Sequence, residues 1–380
     1  MALNAPGTPL LGDEHPLIVV VGSGGVGKTT LAAALGLTAA RDGRDTLVMT
    51  FDPSLRLKDA LGVGEEARDR PVPVALGDAG EGRAGEGGAV GRLDASLLDA
   101  RRTFDRLVER YAPDEAARRR ILDNRFYAHL AGSLAGILEY MAVERLWEVA
   151  SEGTYRQVVL DTPPTRQALD FLEAPSRIVG FLESGALKVA LRPWFDDAGR
   201  LKGSSRLGFL GRRFESFLDE IVGLDLLRDM AEFFQAFEPL YGGFRERARQ
   251  VEELLRSPRT LFVLVSGPGE ERIADTLFFA RRLGEAGYHL GPIVVNRVHP
   301  QVSGPLPGLP EDPCTPDGRA LLAWLGERDH RGLAHLRGLV PQGRPLVALP
   351  LLRREPTDLA SLEAVGRELL QRLDRAGGED

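Results

Sequence analysis

Residues 17–30 read LIVVVGSGGVGKTT, and this stretch decides the fold. An apolar run is followed by a glycine-rich turn and then by a helical pattern, which predicts a buried strand, a tight loop and a helix. The turn matches G-x-x-x-x-G-K-[ST], in which glycines let backbone N–H groups face phosphate oxygens. The sequence therefore predicts a phosphate-binding loop and helix start made of Gly22, Ser23, Gly24, Gly25, Val26, Gly27, Lys28, Thr29 and Thr30.

Two side chains of this loop suit a nucleoside triphosphate with its metal ion. Lys28 supplies positive charge to the β- and γ-phosphates, and Thr29 can place its hydroxyl on Mg²⁺. The following helix adds the positive end of its dipole. A nucleoside triphosphate is thus the predicted ligand and Mg²⁺ the predicted cofactor. A glycine-rich turn without a ligand is the alternative, which the strand, loop and helix in sequence disfavour.

Further apolar, β-branched runs predict buried strands at residues 46–51, 157–160, 261–266, 292–298 and 346–349. Helical patterns such as 29–40 and 273–287 separate them. This alternation predicts an α/β fold, with a mostly parallel sheet flanked by helices. Two helical blocks, at about 94–152 and 166–257, interrupt it and predict a helical subdomain inserted into a single domain of 380 residues. Glycine-rich residues 77–91 and proline-rich residues 300–316 predict irregular loops.

Acidic residues follow two of the predicted strands. Asp161 follows the strand at 157–160, where an acid beside the phosphate loop can hold Mg²⁺, usually through a water molecule. A helix-capping role is the alternative for Asp161. Asp52 follows the strand at 46–51 and could orient the water that attacks the phosphate. A turn-forming Asp-Pro step is the alternative for Asp52.

Composition and charge exclude several classes of protein. The net charge is −7, which disfavours a nucleic-acid partner, because such a partner requires a basic face. The single cysteine, Cys314, excludes an internal disulfide and a cysteine-rich zinc site within one subunit. The first 14 residues lack the pattern of a secretory signal, and no apolar run approaches the ~20 residues of a membrane span. These features predict a cytoplasmic protein that is at most peripheral to a membrane.

Four segments taken together resemble the ArsA-like anion-transporting ATPases: GSGGVGKTT, FDPSLRLKDALG, VVLDTPPTRQALDFLEAP and IVVNRVHP. The resemblance covers nearly the whole chain. The family includes the arsenite-pump ATPase and the ATPase that targets tail-anchored membrane proteins, and this chain looks like a bacterial branch. The resemblance implies a P-loop NTPase with a deviant phosphate loop that hydrolyses ATP. It also implies a homodimer, or a heterodimer with a paralogous ATPase.

The resemblance also implies roles for individual residues at both ends of the nucleotide. At the phosphate end, Asp52 polarises the hydrolytic water and Asp161 is the magnesium-binding acid of the switch. At the base end, Asn296 hydrogen-bonds to adenine. The loop after the last strand, which contains Pro350 and Leu351, wraps the base.

The sequence departs from the family at the second position of the loop. The family has a lysine there that reaches across a dimer to the partner's phosphates, and this chain has Ser23, which cannot supply that charge. The best substitute within the chain is Arg166. It directly follows residues 161–165, which correspond to the magnesium-binding switch of the family, and it would act as an arginine finger on the phosphates. The alternative is that Arg166 caps its own helix or pairs with Asp170 one turn later.

Ten of the sixteen phenylalanines lie between residues 171 and 244, in stripes typical of amphipathic helices. A plain helical core is one interpretation. The other is an apolar groove that two subunits form for a hydrophobic client or a membrane protein, and an ATPase that handles such a client is the leading function. Two alternatives stay open: the ATPase subunit of an oxyanion (arsenite-type) pump, disfavoured by the single cysteine, and a partitioning or positioning switch with little hydrolysis. A small-molecule kinase is more remote.

Overall fold

The computed structural model describes residues 10–52, 56–68, 70–76, 90–127, 137–183, 224–301, 318–341 and 343–377. Within them one eight-stranded sheet has the order β3-β4-β2-β5-β1-β6-β7-β8. All neighbouring strands are parallel except β3, which is antiparallel to β4. The strands are β1 (Leu17–Gly22), β2 (Thr46–Thr50), β3 (Val72–Pro73), β4 (Leu93–Leu97), β5 (Gln157–Asp161), β6 (Thr260–Ser266), β7 (Leu290–Val298) and β8 (Leu346–Pro350).

Helices connect these strands and also form a separate helical region. The α-helices of the described residues are α1 (Lys28–Arg41), α2 (Arg56–Leu61), α3 (Ala100–Tyr111), α4 (Glu115–Leu122), α5 (Ile137–Glu152), α6 (Thr165–Glu183), α7 (Leu224–Phe237), α8 (Tyr241–Arg256), α9 (Ile273–Glu285), α10 (Gly318–Leu339) and α11 (Leu359–Gly377). No helix among the described residues is both long enough and apolar enough to cross a membrane.

The predicted α/β class, with a mostly parallel sheet and flanking helices, is confirmed. The six predicted strands are all present, and every residue of β1, β2, β5 and β6 is buried, which explains their continuous apolar sequence. Because β1 lies between β5 and β6, the phosphate loop that follows it begins at the centre of the sheet.

The sheet also contains two strands that the sequence pattern did not predict, β3 and β4. Strand β4 carries Asp94 and Ser96, which break the apolar run, yet both are buried. The Asp94 carboxylate is tolerated because Oδ2 accepts a hydrogen bond of 2.7 Å from the Tyr155 hydroxyl and lies 3.3 Å from Arg92 Nε. Residues 94–97 therefore belong to the sheet, and the prediction that a helical block starts at about residue 94 is wrong there: α3 begins at Ala100.

The described residues form two compact units. The sheet unit comprises the described parts of Met1–Leu98, Glu152–Leu169 and Leu254–Asp380. The helical unit comprises the described parts of Asp99–Ser151 and Asp170–Glu253.

An aromatic cluster forms part of the core of the helical unit. The ring of Phe104 stacks on Tyr127 at 4.8 Å and on Phe237 at 5.7 Å between centroids, and Phe233 stacks on Phe237 at 5.5 Å. Phe233 and Phe237 are buried, so for these two rings the structure favours the helical-core interpretation over a groove. Three predicted features lie outside the described residues: the apolar positions at 184–223, most of the two predicted loops, and Cys314.

Candidate functional site

The phosphate loop joins β1 to α1, and two of its glycines are fixed by steric contact. Gly22 has φ 149°, and a Cβ there would collide with the carbonyl oxygen of Val265 in β6. Gly27 is the N-cap of α1 with φ 94°, and a Cβ there would collide with the side-chain amide of Asn296 in β7. Only glycine fits both the left-handed backbone and the close approach of the neighbouring strands.

Asp161 lies at the centre of a hydrogen-bonded cluster below the loop. It is the last residue of β5 and is paired in register with Val20 of β1 and Thr50 of β2. One carboxylate oxygen, Oδ2, accepts hydrogen bonds from the hydroxyls of Thr29 (2.8 Å) and Thr50 (2.9 Å). The residue is fully buried, and its other oxygen, Oδ1, has no hydrogen-bond partner.

Burial perturbs both charges of this cluster. It raises the pKa of Asp161 to about 6, although the two hydroxyls and the positive charge of Lys28 act in the opposite direction. Burial also lowers the pKa of Lys28, opposed by the negative charges of Asp161 and Asp52. The Lys28 ammonium donates a 2.9 Å hydrogen bond to the carbonyl oxygen of Ser23 within the loop. Two titratable groups with pKa values perturbed by the same buried environment are typical of functional sites.

The donor atoms at Asp161 fit a magnesium ion. Mg²⁺ prefers oxygen ligands and is commonly held by one or two protein oxygens together with the phosphates of a substrate. The orphaned Oδ1 of Asp161 is a buried acceptor that lacks a donor, and the Thr29 hydroxyl lies on the same carboxylate. A buried carboxylate oxygen without a hydrogen bond is costly, and a cation at this position would remove that cost.

Asp52 lies at the same edge of the sheet, two residues beyond the end of β2. It is half-buried, and its backbone N–H donates a 3.0 Å hydrogen bond to the Thr50 hydroxyl. Its negative charge acts on the pKa values of both Lys28 and Asp161, so the structure brings these three ionisable groups together. The role of Asp52 in polarising water stays a prediction.

Strand β7 holds the other side of the loop through two adjacent residues. The Asn296 side-chain Nδ2 donates to the carbonyl oxygen of Val26 at 2.9 Å, and its Oδ1 accepts from the backbone N–H of Arg297. The Arg297 guanidinium donates to the carbonyl oxygen of Gly25 at 3.1 Å. Asn296 keeps a second Nδ2 hydrogen for another acceptor. Its predicted hydrogen bond to adenine stays a prediction.

The remaining predicted site residues lie on β8 and α6. Pro350 ends β8 opposite Val298 of β7, and the backbone N–H of Leu351 donates to the Val298 carbonyl oxygen at 2.8 Å. Pro350 and Leu351 are both exposed, beside the strand that carries Asn296. Arg166 is the second residue of α6, and its side chain lies outside the part of the chain that the structure describes. The base contact and the arginine finger remain predictions.

Sequence reasoning missed two residues that shape this site, Thr50 and Arg297. The Thr50 hydroxyl donates a hydrogen bond to Asp161 and accepts one from the backbone N–H of Asp52. Its position at the end of β2, two residues before Asp52, could have identified it as a site residue. Arg297 has φ 64°, a conformation that non-glycine residues rarely adopt, and nothing in the local sequence announces it.

Several known proteins that this chain resembles are named as ATPases. A sequence model described as "Anion-transporting ATPase" matches residues 15–305. A putative arsenical pump-driving ATPase of Halobacterium salinarum is 30% identical over 194 residues, which are 48% of this chain and 27% of that protein. A putative arsenical pump-driving ATPase 1 of Aquifex aeolicus is 25% identical over 303 residues, 75% of this chain and 64% of the relative.

A fungal protein is similar over more of its own length. The ATPase get3 of Neurospora crassa is 27% identical over 301 residues, which are 78% of this chain and 76% of that protein. The chain thus spans less than two thirds of the length of the two prokaryotic relatives and about three quarters of the fungal one.

Proposed function

This chain belongs to the anion-transporting ATPase family, and we propose that it binds ATP with Mg²⁺ and hydrolyses its terminal phosphate. One observation carries the proposal: the orphaned, buried Oδ1 of Asp161 lies on the carboxylate that the Thr29 hydroxyl contacts. Lys28 adds a buried positive charge to the same cluster. The Lys28 ammonium and the Thr29 hydroxyl lie at the start of α1, and the Asp161 carboxylate lies beside them at the end of β5. Together they are the groups that a metal-bound triphosphate requires.

The chain's own groups would hold the phosphates in the following way. The Lys28 ammonium has three N–H donors, so its bond to Ser23 leaves two for phosphate oxygens. Thr29 and Asp161 would hold Mg²⁺, which when bound supplies charge that neutralises the β- and γ-phosphates. Asp52, at the edge of this cluster, would accept a hydrogen bond from the attacking water and orient it.

ATP hydrolysis would serve a hydrophobic client or a membrane partner, and the protein would work as a homodimer or with a paralogous ATPase. Two relatives are named as arsenical pump-driving ATPases, which supports an ATPase that acts on a partner, and another is named as ATPase get3, which supports the ATPase activity alone. Because Ser23 replaces the signature lysine, the missing cation would come from Arg166 or from the second subunit.

An ATPase subunit of an arsenical pump is a second candidate, favoured by the names of the two prokaryotic relatives. Arsenite would then increase the rate of ATP hydrolysis, and removing the single thiol by Cys314→Ser would abolish the increase. A rate that does not change with arsenite would remove this candidate and leave the client-handling ATPase.

The test of ATP binding compares two lysines of the sheet unit by calorimetric titration with MgATP. Lys28→Ala should weaken binding by roughly 10- to 100-fold, as expected for lost hydrogen bonds from a charged donor. Lys58→Ala is the matched control. Lys58 lies in α2 and pairs with Glu65, which follows that helix, rather than with the phosphate loop. Its affinity should be unchanged. Equal affinities in wild type and Lys28→Ala would contradict the assignment of the loop.

The test of hydrolysis is Asp52→Asn. The variant should bind MgATP with wild-type affinity and hydrolyse it on the order of 10²- to 10⁴-fold more slowly, because the neutral amide lacks the negative charge that polarises the attacking water. Wild-type turnover in Asp52→Asn would show that the residue only forms a turn.

A further inference from the structure

Arg297 has a strained backbone conformation beside the phosphate loop. Its φ is 64°, and in the part of the chain that the structure describes it is the only non-glycine residue with a positive φ. Such strain persists only where the surrounding structure enforces it. Two hydrogen bonds do so here: the Arg297 backbone N–H donates to Asn296 Oδ1 at 2.9 Å, and its Nη1 donates to the carbonyl oxygen of Gly25 at 3.1 Å. The strained residue is therefore part of the support of the loop.

Two successive carbonyl groups of the loop are held by strand β7. The Gly25 carbonyl oxygen accepts from Arg297, and the Val26 carbonyl oxygen accepts from Asn296 Nδ2 at 2.9 Å. In a planar trans peptide unit, the C=O and the N–H of the next residue point in opposite directions. Holding these two carbonyls toward β7 therefore directs the N–H groups of Val26 and Gly27 away from it. Successive N–H groups arranged in this way form an anion-binding concavity.

The Arg297 guanidinium has one other polar partner among the described residues, and that contact is weak. Its Nη2 atom lies 3.8 Å from Glu355 Oε1, and the two side chains are 47% and 84% exposed. Ion pairs with such exposure contribute little, because water competes for both partners. The hydrogen bond to Gly25 is therefore the contact through which this side chain acts.

We propose that Arg297 is a positioning residue for nucleotide binding, because it holds the Gly25 carbonyl toward β7 and so aims the Val26 N–H at the phosphates. Together with Asn296, it makes β7 a fixed support for the loop. Donors that are already in place bind a ligand more tightly, since no free energy is spent on ordering them. The N–H groups of such a loop contact the α- and β-phosphates, so MgATP and MgADP should depend on Arg297 equally.

Arg297→Gly tests this role, because glycine removes the guanidinium and also relieves the left-handed backbone. The variant should unfold in urea at about the wild-type midpoint. Its affinity for MgATP in calorimetric titration should fall about tenfold, as expected for a lost hydrogen bond from a charged donor, and its affinity for MgADP should fall by the same factor. Arg297→Lys keeps a charged donor for the Gly25 carbonyl and should bind both nucleotides within about threefold of wild type.

Arg156→Gly is the matched control. Arg156 is 58% exposed and donates two hydrogen bonds of 3.0 Å to the Asp13 carboxylate. It directly precedes β5, so it lies at the edge of the parallel sheet opposite to the phosphate loop. The variant loses a similarly exposed guanidinium, and its affinity for both nucleotides should be unchanged.

Because this role rests on the proposed function, one measurement is made without nucleotide. NMR relaxation of the backbone amides should show Val26 and Gly27 to be more mobile in Arg297→Gly than in wild type or Arg156→Gly. The proposal is overturned if this mobility is unchanged, or if Arg297→Gly binds MgATP like wild type. It is also overturned if only MgATP binding falls, since Arg297 would then contact the terminal phosphate itself. If wild type binds no MgATP, the proposed function fails, whereas the relaxation measurement still decides whether Arg297 holds the loop.

Discussion

Asp161→Asn should make the nucleotide-free protein more stable and at the same time remove its stabilisation by MgATP. Burial raises the pKa of this carboxyl from 3.8 to about 6, so the charged form is disfavoured in the folded state. That difference corresponds to about 3 kcal/mol of unfolding free energy. The asparagine oxygen can still accept from Thr29 and Thr50, so we expect a gain of about 1 to 3 kcal/mol near neutral pH.

The gain should depend on pH in a defined direction. Because the pKa of Asp161 is raised in the folded state, its contribution to stability is present below the unfolded pKa and is lost as the pH rises through about 6. Asparagine does not titrate, so the excess stability of the variant should grow between about pH 4 and pH 7 and then level off.

Urea unfolding over this pH range, with and without MgATP, measures both effects. MgATP should stabilise wild type, because a ligand that binds only the folded state adds to its stability, and should leave Asp161→Asn nearly unchanged. A variant that is less stable than wild type near neutral pH without nucleotide would refute the reasoning. A stability difference that does not vary with pH would refute it equally.

Asp329→Asn is a matched control, for which we expect a change in stability opposite to that of Asp161→Asn. Asp329 is also buried, which by itself would raise its pKa. Hydrogen bonds from His299 and Arg328 outweigh burial, so the pKa is lowered. Its contribution to stability is therefore present above the unfolded pKa and is lost as the pH falls. Asp329→Asn should accordingly destabilise the protein near neutral pH.

The remaining predictions concern the loop and the aromatic cluster. Gly27→Ala should weaken MgATP binding by roughly tenfold, because its Cβ would collide with Asn296 in a left-handed backbone; calorimetric titration would contradict this by showing wild-type affinity. Phe233→Ala should lower the unfolding free energy by about 3 to 5 kcal/mol, whereas Phe278→Ala, at a side chain that is 53% exposed, should change it by less than about 0.5 kcal/mol. Equal losses in urea unfolding would contradict the assignment of Phe233 to a core.

The sheet was largely predictable because its central strands are buried on both faces and so appear as unbroken apolar runs. Strand β4 was not, because Asp94 and Ser96 make it resemble the polar start of a helix. The buried Asp94 accepts a hydrogen bond from the Tyr155 hydroxyl, 61 residues away in the chain. A local pattern cannot report a partner at that distance.

The phosphate loop was readable because its spacing is local, whereas the cluster below it depends on strand order. Thr50 and Asp161 meet because β2 and β5 pair in register, although 111 residues separate them. In the helical unit, an amphipathic stripe looks the same whether it faces a core or a groove. Phe233 contacts Phe237 of its own helix, but it also stacks on Phe104 of α3, and only the structure identifies that distant partner.

Phosphate release from ATP by the purified full chain tests the proposed chemistry most directly. Release should be measured with Mg²⁺, with a chelator in place of Mg²⁺, and with Lys28→Ala purified in parallel. We predict that phosphate is released by wild type only with Mg²⁺, and that Lys28→Ala releases none above background. Equal release by wild type and Lys28→Ala, or release that persists in the chelator, would contradict the assignment of Lys28, Thr29 and Asp161 to a magnesium-dependent ATPase site.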